Sequence, residues 1–408
     1  MRNAHSLAKT EPGRRAISLL ESISPQLEIY AGENDPAGKF AIESFRLLRE
    51  NGLLSVCAPV ESGGVGLTSL HDLTLFIKYL AKADASAAVA SQMHLVLSWY
   101  FARTVRLGGD AHTYEKHKGW CDEIGNGRMV VASAVSEHGS LPWTPSSQAT
   151  RVQNGWLING RKNLVSNSPA ASHFYTRVRI DEEGTPSIAT AMIPREIQGV
   201  TVVENWDGLG LRGSGSGDVI FDGCFVPASA VTIRGEWGKR DDRSLEGRVA
   251  STAPLLGIPM GLIEAARSHC SKALQNKLGR SEHPLSATEV YLVSEVEVLT
   301  TSARSALTML LSELDDRLTQ TRSGTLSAIE SRQLMSETAI AGILLERAVT
   351  EVIDLSMQIL GGAAYRAGHP LARFMRDARA LFYMRPIAPP NKWRDFLVNT
   401  RLQDELSI

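Results

Sequence analysis

The spacing of apolar residues divides the chain into three stretches. Residues 1–128 contain long segments that are apolar on more than one face, which predict helices buried in a bundle. Residues 129–233 consist of short β-branched or aromatic runs separated by Gly, Pro, Asn and Asp, which predict a small antiparallel β domain with a hairpin at Asn154-Gly155. Residues 234–408 return to long amphipathic segments and predict a bundle of about four helices. The expected fold class is therefore α+β, mostly α.

A glycine-rich stretch, GLGLRGSGSG at 208–217, contains the spacing G-x-G-x-x-G through Gly208, Gly210 and Gly213. This spacing indicates a dinucleotide site only where it follows a strand and opens a helix. The residues after Gly213 instead place apolar side chains at alternate positions, which is typical of a strand. We therefore expect a connection between two strands of the β domain.

Composition narrows the class of partner. The 408 residues carry a net charge of −1 at pH 7, so no concentrated basic surface for nucleic acid is expected. There is no run of about 18 apolar residues that would predict a membrane-spanning helix, and the first residues lack the apolar run of a signal peptide. The four cysteines form no CxxC pair and have no metal-binding spacing with histidine. We expect a cytoplasmic protein without a metal site that acts on a small molecule.

Five blocks in order resemble the acyl-CoA dehydrogenase superfamily, over about Ala16 to Thr400. They are APVESGGVG, ASAVSEHGS, INGRKNLVSN, WDGLGLRGSGSGDVIFDGCFVP and MQILGGAAYRAGHPLARFMRDAR. The resemblance implies an N-terminal helical domain, a central β domain and a C-terminal four-helix bundle. It also implies a homotetramer or homodimer with a flavin, usually FAD, between the β domain and the C-terminal helices.

Seven positions match residues that contact the flavin in this superfamily. Ser136 matches a threonine that hydrogen-bonds to the isoalloxazine, and Ser166 matches another threonine that contacts the flavin. Ser140 matches a serine at the pyrophosphate, and Leu164 matches a residue that packs on the ring. The resemblance further implies that three residues receive the adenine-side phosphates from a partner subunit: Gln358, Gly361 and Gly362. For the two glycines the alternative is a simple helix C-cap.

The residues expected of a dehydrogenase are missing. The usual catalytic glutamate aligns with Arg385, its second family location aligns with Ser251, and Glu246 lies near that location but out of register. The arginine that holds the adenine half of FAD is also absent; Lys277 or Arg280 is a possible substitute. FMN, or reduced flavin supplied by a separate reductase, is therefore an alternative to tightly bound FAD.

The tail, RDARALFYMRPIAPPNKWRDFL, is similar to the tails of dibenzothiophene-type flavin monooxygenases of the same fold. Pro386, Ile387 and Lys392 fit that motif, whereas Met384 replaces its histidine. In those enzymes reduced flavin and O₂ oxygenate a heteroatom or an aromatic carbon, which requires no base for an α-proton. The resemblance therefore favours a monooxygenase.

Three residues are candidates for a catalytic role, each with a structural alternative. His94 lies on a helix expected to face the active-site cavity, or it is a core histidine. His138 lies near the expected flavin edge, or it faces solvent. Arg385 cannot act as a base, but it is suited to pairing with a substrate carboxylate or with the flavin peroxide; alternatively it pairs with Asp377 or Asp395 and only supports the structure.

Three functions remain open from the sequence. The first is a flavin monooxygenase that works with a reductase. The second is an acyl-CoA or acyl-carrier-protein dehydrogenase whose base has moved, for instance to Glu246. The third is a flavin-binding or scaffolding protein without turnover.

Overall fold

The computed structural model describes residues 7–182, 184–239, 244–279, 285–319, 326–380, 383 and 393–399. Five helices come first: α1 (Glu11–Ala37), α2 (Ile42–Glu50), α3 (Leu70–Ala83), α4 (Ala85–Leu107) and α5 (Ala111–Gly125). Eight strands follow: β1 (Val131–Ala134), β2 (Gln148–Val152), β3 (Gly155–Val165), β4 (His173–Ile180), β5 (Ser187–Pro194), β6 (Val200–Val203), β7 (Gly217–Pro227) and β8 (Val231–Glu236). The last five helices are α6 (Ser244–Leu255), α7 (Gly257–Leu278), α8 (Ala287–Leu314), α9 (Ala328–Leu360) and α10 (Pro370–Ala380). The predicted order and fold class are confirmed.

The strands form one sheet in the order β6-β7-β3-β2-β4-β5-β8, with β1 beside β4. Most neighbours are antiparallel, as predicted. Strand β1, however, runs parallel to β4, with Val131 opposite His173, and β2 also makes a short parallel pairing with β4. The predicted antiparallel domain is therefore confirmed in most of its pairings, and the parallel pairing of β1 and β2 with β4 departs from it. The β2–β3 hairpin lies between β1 and β4 in the chain, so β4 returns in the direction of β1.

The predicted hairpin at Asn154-Gly155 is confirmed. Val152 pairs with Gly155 at its closed end, and Asn154 has a φ of 64°, a left-handed conformation that asparagine tolerates better than most residues. A Cβ atom on Gly155 would lie 2.2 Å from the carbonyl oxygen of Val226 on the neighbouring strand. Glycine is required there because β7 passes so closely.

The glycine-rich stretch connects β6 to β7, as predicted, and packs against α10. A Cβ atom on Gly210 would lie 2.1 Å from the carbonyl oxygen of Arg376, and the next backbone N–H, that of Leu211, donates to Asp377 Oδ1 at 2.6 Å. On the other side, the N–H of Ala41 donates to the carbonyl of Gly213 at 2.9 Å. These glycines therefore serve close packing between the sheet and two sets of helices.

The N-terminal and C-terminal helices share one apolar core, in which α3 lies along α7 and α9 packs against α7 and α8. Within the described residues, one helical stretch, Glu246–Leu278, is long and apolar enough to span a membrane, but 89% of its apolar window is buried inside the fold. Such burial is what a core helix shows. Two glycines one turn apart, Gly257 and Gly261, let the backbones of α7 and α3 approach closely.

Replacing Gly261 with alanine is expected to destabilise the protein by about 1–3 kcal/mol, since overpacking forces neighbouring backbones apart. The new Cβ would lie 2.4 Å from the carbonyl oxygen of Lys78. Gly247→Ala is the matched control, because Gly247 is an exposed helical position with no atom within 4 Å of a new Cβ. Alanine there should stabilise the helix by up to about 1 kcal/mol. Equal effects of both changes in urea denaturation would contradict the close approach of the helices.

Candidate active site

The end of β1 and the end of β3 bring together two of the predicted flavin contacts. The N–H of Asn163 donates to the carbonyl of Ser136 at 3.0 Å, which places Ser136 beside Leu164. A bulge between Lys162 and Val165 turns Leu164 outward, with a φ of 54° and 56% of its surface exposed. A leucine in this left-handed conformation costs about 1–2 kcal/mol. The fold therefore maintains an exposed apolar side chain where a flat ring is expected.

A chain of hydroxyls continues from this point toward β7. Ser166 Oγ lies 2.8 Å from Ser216 Oγ, which lies 2.8 Å from Ser214 Oγ. Ser214 and Ser216 are buried and were not singled out from the sequence. The alternating S-G-S-G before β7 was the available signal in the sequence, but its glycines predicted only a connection between two strands.

The loop that carries Ser136, His138 and Ser140 is anchored through Glu137, which is buried. The carboxylate of Glu137 accepts hydrogen bonds from Ser147 N–H at 3.0 Å and Ser146 Oγ at 2.7 Å, and it also pairs with the buried ammonium of Lys162. Burial alone would raise the pKa of Glu137, but these partners lower it to about 2. His138, one residue later, is exposed to solvent, and Ser140 is half-buried.

The residues around Leu164 fit a flavin. The Oδ1 atom of Asn163 is buried without a hydrogen-bond partner among the described residues, and the same holds for both amide atoms of Asn167. Buried polar atoms in this condition cost about 1–3 kcal/mol each unless a partner is supplied. A ligand with an apolar face for Leu164 and a polar edge for these amides and the serine hydroxyls would satisfy both requirements.

The three residues predicted to contact phosphates lie at the exposed end of α9. Gly361 N–H donates to the carbonyl of Met357, a helix cap, and Gly361 has φ 65° and ψ −150°, a region essentially limited to glycine. A Cβ on Gly361 or Gly362 would meet no atom within 4 Å, so the backbone is accessible from outside. Gln358 is exposed on the last turn of the same helix. A phosphate contact here stays a prediction.

His94 is fully enclosed, and both of its ring nitrogens bond to backbone groups. Nε2 donates to the carbonyl of Leu54 at 2.8 Å, and Nδ1 accepts from Val131 N–H at 3.2 Å. Burial lowers the pKa of His94 to about 4. The ring is therefore neutral at pH 7 and connects α4 to strand β1, which leaves no nitrogen for a substrate in this conformation.

Neither location of the dehydrogenase base holds a carboxylate that is available for proton abstraction. Glu246, the displaced candidate, receives a hydrogen bond of 2.8 Å from Arg103, and both side chains are 4% exposed. The carbonyl of Ser251 accepts from Gln92 at 3.1 Å. Arg385 lies outside the described residues, as do Arg280, Met384 and Lys392; Lys277, the other proposed substitute, pairs with Glu289.

Comparison with known proteins identifies the family. The chain matches the N-terminal domain of acyl-CoA dehydrogenases over residues 21–112, the middle domain over 132–224 and the C-terminal domain over 245–384. It is 35% identical to amino sugar nitrososynthase DnmZ of Streptomyces peucetius over 385 residues, which cover 93% of this chain and 91% of the relative.

Solved structures agree with this assignment. The fold superimposes with a TM-score of 0.90 on KijD3 in complex with FMN and dTDP-3-amino-2,3,6-trideoxy-4-keto-3-methyl-D-glucose, at 32% identity and with 98% and 96% of the two chains covered. It shares the fold of dibenzothiophene monooxygenase TdsC from Paenibacillus sp. A11-2, with a TM-score of 0.79, 22% identity, and 96% and 97% of the chains covered. The chain therefore belongs to the acyl-CoA dehydrogenase family, and within it to the flavin-dependent oxidoreductases that are not plain dehydrogenases.

Proposed function

We propose that this enzyme is a monooxygenase that oxidises the amino nitrogen of a nucleotide-linked amino sugar with reduced flavin and O₂. The observation that carries the proposal is the ion pair between Glu246 and Arg103. A carboxylate that stabilises a buried guanidinium loses that pairing when it takes up a proton, so it is a poor base for an α-proton. The names of the relatives at 30% identity or more supply the class of substrate.

Oxygenation of an amine balances without such a base. When bound, the reduced flavin supplies two electrons and the site for reaction with O₂. The amine takes one oxygen atom to become a hydroxylamine, and the other oxygen atom leaves as water. A second round with another O₂ and two more electrons converts the hydroxylamine into a nitroso group and releases two waters. The protein would hold the ring against Leu164 and exclude water from it.

Several features of the working enzyme belong to the same proposal. We propose FMN rather than FAD, because Lys277 is already paired with Glu289 and the sequence lacks the arginine expected at the adenine half. A separate reductase would supply the reduced flavin, and the enzyme would assemble as a homotetramer or homodimer. All four cysteines are buried free thiols, which agrees with a reducing compartment such as the cytoplasm.

The test compares two substrate classes on one preparation. The dTDP-3-amino sugar named for KijD3 is given to the protein with FMN, a flavin reductase and NADH, whereas a series of acyl-CoA thioesters is given to the protein with oxidised FMN alone. We expect the amino sugar to be converted in an O₂-dependent reaction and the thioesters to leave the oxidised flavin spectrum unchanged. Anaerobic bleaching of the flavin by a thioester, with no oxidation of the amino sugar, would overturn the proposal.

Substituting Glu246 with glutamine separates the two chemistries further. If Glu246 were the general base of a dehydrogenase, the change would lower the rate about 10²–10⁴-fold. An oxygenase does not need this base, so its rate should fall less than about tenfold. Glu264→Gln is the matched control, because Glu264 also forms a mostly buried pair, with Lys78 at 3.3 Å. Turnover of the amino sugar that falls by a thousandfold or more in the Glu246 variant alone, with both variants still folded at the assay temperature, would make Glu246 part of the chemistry.

A further inference from the structure

Three cationic side chains lie on helix α5 and on the strands β4 and β8 of the sheet beside it. They are Lys116, Arg177 and Arg234, and we call this group the cationic cleft. Lys116 Nζ donates to Thr232 Oγ1 at 2.7 Å, which connects α5 to β8, and Arg234 Nε donates to Thr190 Oγ1 on β5 at 3.2 Å. The proposed chemistry at Leu164 does not use any of the three.

Two tyrosines lie close to the guanidinium of Arg234, whose Nε atom is held by Thr190. Tyr100 on α4 and Tyr175 on β4 both act to raise the pKa of Arg234. Both tyrosines are half-buried, while Arg234 itself is exposed. A pre-positioned guanidinium with an open side is suited to bidentate contact with phosphate oxygens.

The three cations are not paired with a carboxylate in the part of the chain that the structure describes. Among the described residues, no carboxylate lies within 4 Å of the three cations, in contrast to the many paired arginines elsewhere. Asp110 at the start of α5 acts on the charge of Lys116 from more than 4 Å away, and its carboxylate caps the helix by accepting from Thr113 N–H. Like charges gathered this way destabilise one another unless an anion joins them.

A buried histidine provides a second, independent indication of a ligand. His117 is 2% exposed and lies next to Lys116 in the sequence, and its Nδ1 atom has no hydrogen-bond partner in the described part of the chain. Burial, together with the charges of Lys116 and Arg234, lowers the pKa of His117 to about 4. A polar ligand, or a water ordered by it, would supply the missing hydrogen bond to this neutral imidazole beside two cations.

The cationic cleft is physically connected to the flavin loop. Arg177 Nη1 donates to the carbonyl of Pro142 at 3.0 Å, in the loop that follows Ser136 and Ser140. The backbone carbonyl of Arg177 also accepts from Lys162 Nζ at 2.6 Å, and Lys162 pairs with Glu137 of the same loop. An anion held in the cleft would therefore lie next to the segment that carries the predicted flavin contacts.

We propose that the cationic cleft binds the diphosphate of the nucleotide-linked substrate, with Arg234 and Lys116 contacting phosphate oxygens. This inference rests on the proposed function, which supplies the nucleotide sugar. The diphosphate neutralises the grouped cations, and its attachment there directs the sugar toward Leu164 and the serine hydroxyls. Tyr100 and Tyr175 act as positioning residues for Arg234.

The test measures binding separately from turnover. Calorimetric titration with dTDP, and with inorganic pyrophosphate as a second probe, is performed on wild type and on Arg234→Met, Lys116→Met and Arg151→Met. Arg151 is a matched control, an exposed guanidinium on β2 near Glu182. We expect a loss of about 10- to 100-fold in dTDP affinity for each cleft variant, since each removes a charged hydrogen bond, and none for Arg151→Met.

The outcomes distinguish this inference from the proposed function. Unchanged dTDP affinity in both folded cleft variants, or no dTDP binding by wild type, overturns the cleft proposal even if amino sugars are oxidised. Weakened dTDP and pyrophosphate binding in the variants supports it even if no amino sugar is turned over. With the correct substrate, the variants should raise KM and leave kcat within about threefold, because the diphosphate contact is remote from the reacting nitrogen. Lys116→Met serves as the independent variant should Arg234→Met fail to fold.

Discussion

Replacing Lys162 with methionine is expected to lower the free energy of unfolding by about 3–5 kcal/mol, because it leaves the buried carboxylate of Glu137 without its cation. Lys162 is fully enclosed and Glu137 is 2% exposed at the side chain. Burial lowers the pKa of Lys162 to about 8, while the pKa of Glu137 is lowered to about 2, so both groups are charged at pH 7. Urea denaturation at pH 7 measures the loss, and a fall in FMN affinity should accompany it, because Glu137 anchors the loop of Ser136.

Two controls isolate the cause of this loss. The double variant Glu137→Gln/Lys162→Met removes both charges, so it should recover most of the stability lost in Lys162→Met. Arg161→Met removes the neighbouring cation, which pairs with Asp218 but is 60% exposed. Its loss should cost less than about 1 kcal/mol, because exposed ion pairs contribute little to stability. A double variant no more stable than Lys162→Met, or equal costs at positions 161 and 162, would contradict the assignment of a buried ion pair.

Acidification from pH 6.5 to 4 is expected to destabilise the wild-type protein by about 3 kcal/mol through His94 alone. The imidazole has a pKa of about 6.5 in the unfolded chain and about 4 in the folded one, so the unfolded chain binds the proton first. Stability is thus fully present above pH 6.5 and is lost as the pH falls toward 4. Protonation would also place a hydrogen on Nδ1, where Val131 N–H now donates.

A His94→Gln variant tests this prediction, since glutamine does not titrate in this range. Its stability should fall less steeply than that of wild type between pH 6.5 and 4, although the variant is less stable at pH 7 where the two backbone bonds are imperfectly replaced. The slope will not vanish, because burial also lowers the pKa of His117 and of His269 to about 4. An unchanged slope in the variant would show that His94 is not buried and neutral.

Local sequence patterns predicted the features that depend on neighbouring residues. Asn154-Gly155 predicted its hairpin because a two-residue turn needs a left-handed residue, whatever the rest of the fold. The strand pattern after Gly213 excluded a dinucleotide loop for the same local reason. The family blocks then placed Ser136, Leu164 and Ser166 on segments that the structure brings into one area.

Contacts between distant segments could not be predicted in this way. The pair of Arg103 with Glu246 joins residues 143 positions apart, so the sequence left Glu246 open as a catalytic base. The parallel pairing of β1 with β4 depends on where the intervening hairpin packs, which no periodicity reveals. The cationic cleft combines one helix with two strands, and its three residues are single cations far apart in a sequence of nearly neutral net charge.

Transfer of oxygen from O₂ to the nitrogen of the amino sugar is best followed with isotopically labelled gas. The enzyme, FMN, a reductase and NADH are incubated with the dTDP-3-amino sugar under ¹⁸O₂, and the masses of the products are measured by mass spectrometry. We predict a nitrogen-oxidised sugar that carries one ¹⁸O atom and is heavier, by the mass difference between ¹⁸O and ¹⁶O, than the product formed under ordinary O₂. An oxidised product without the label, or a desaturated acyl-CoA formed from a thioester in place of any oxidised sugar, would contradict monooxygenation.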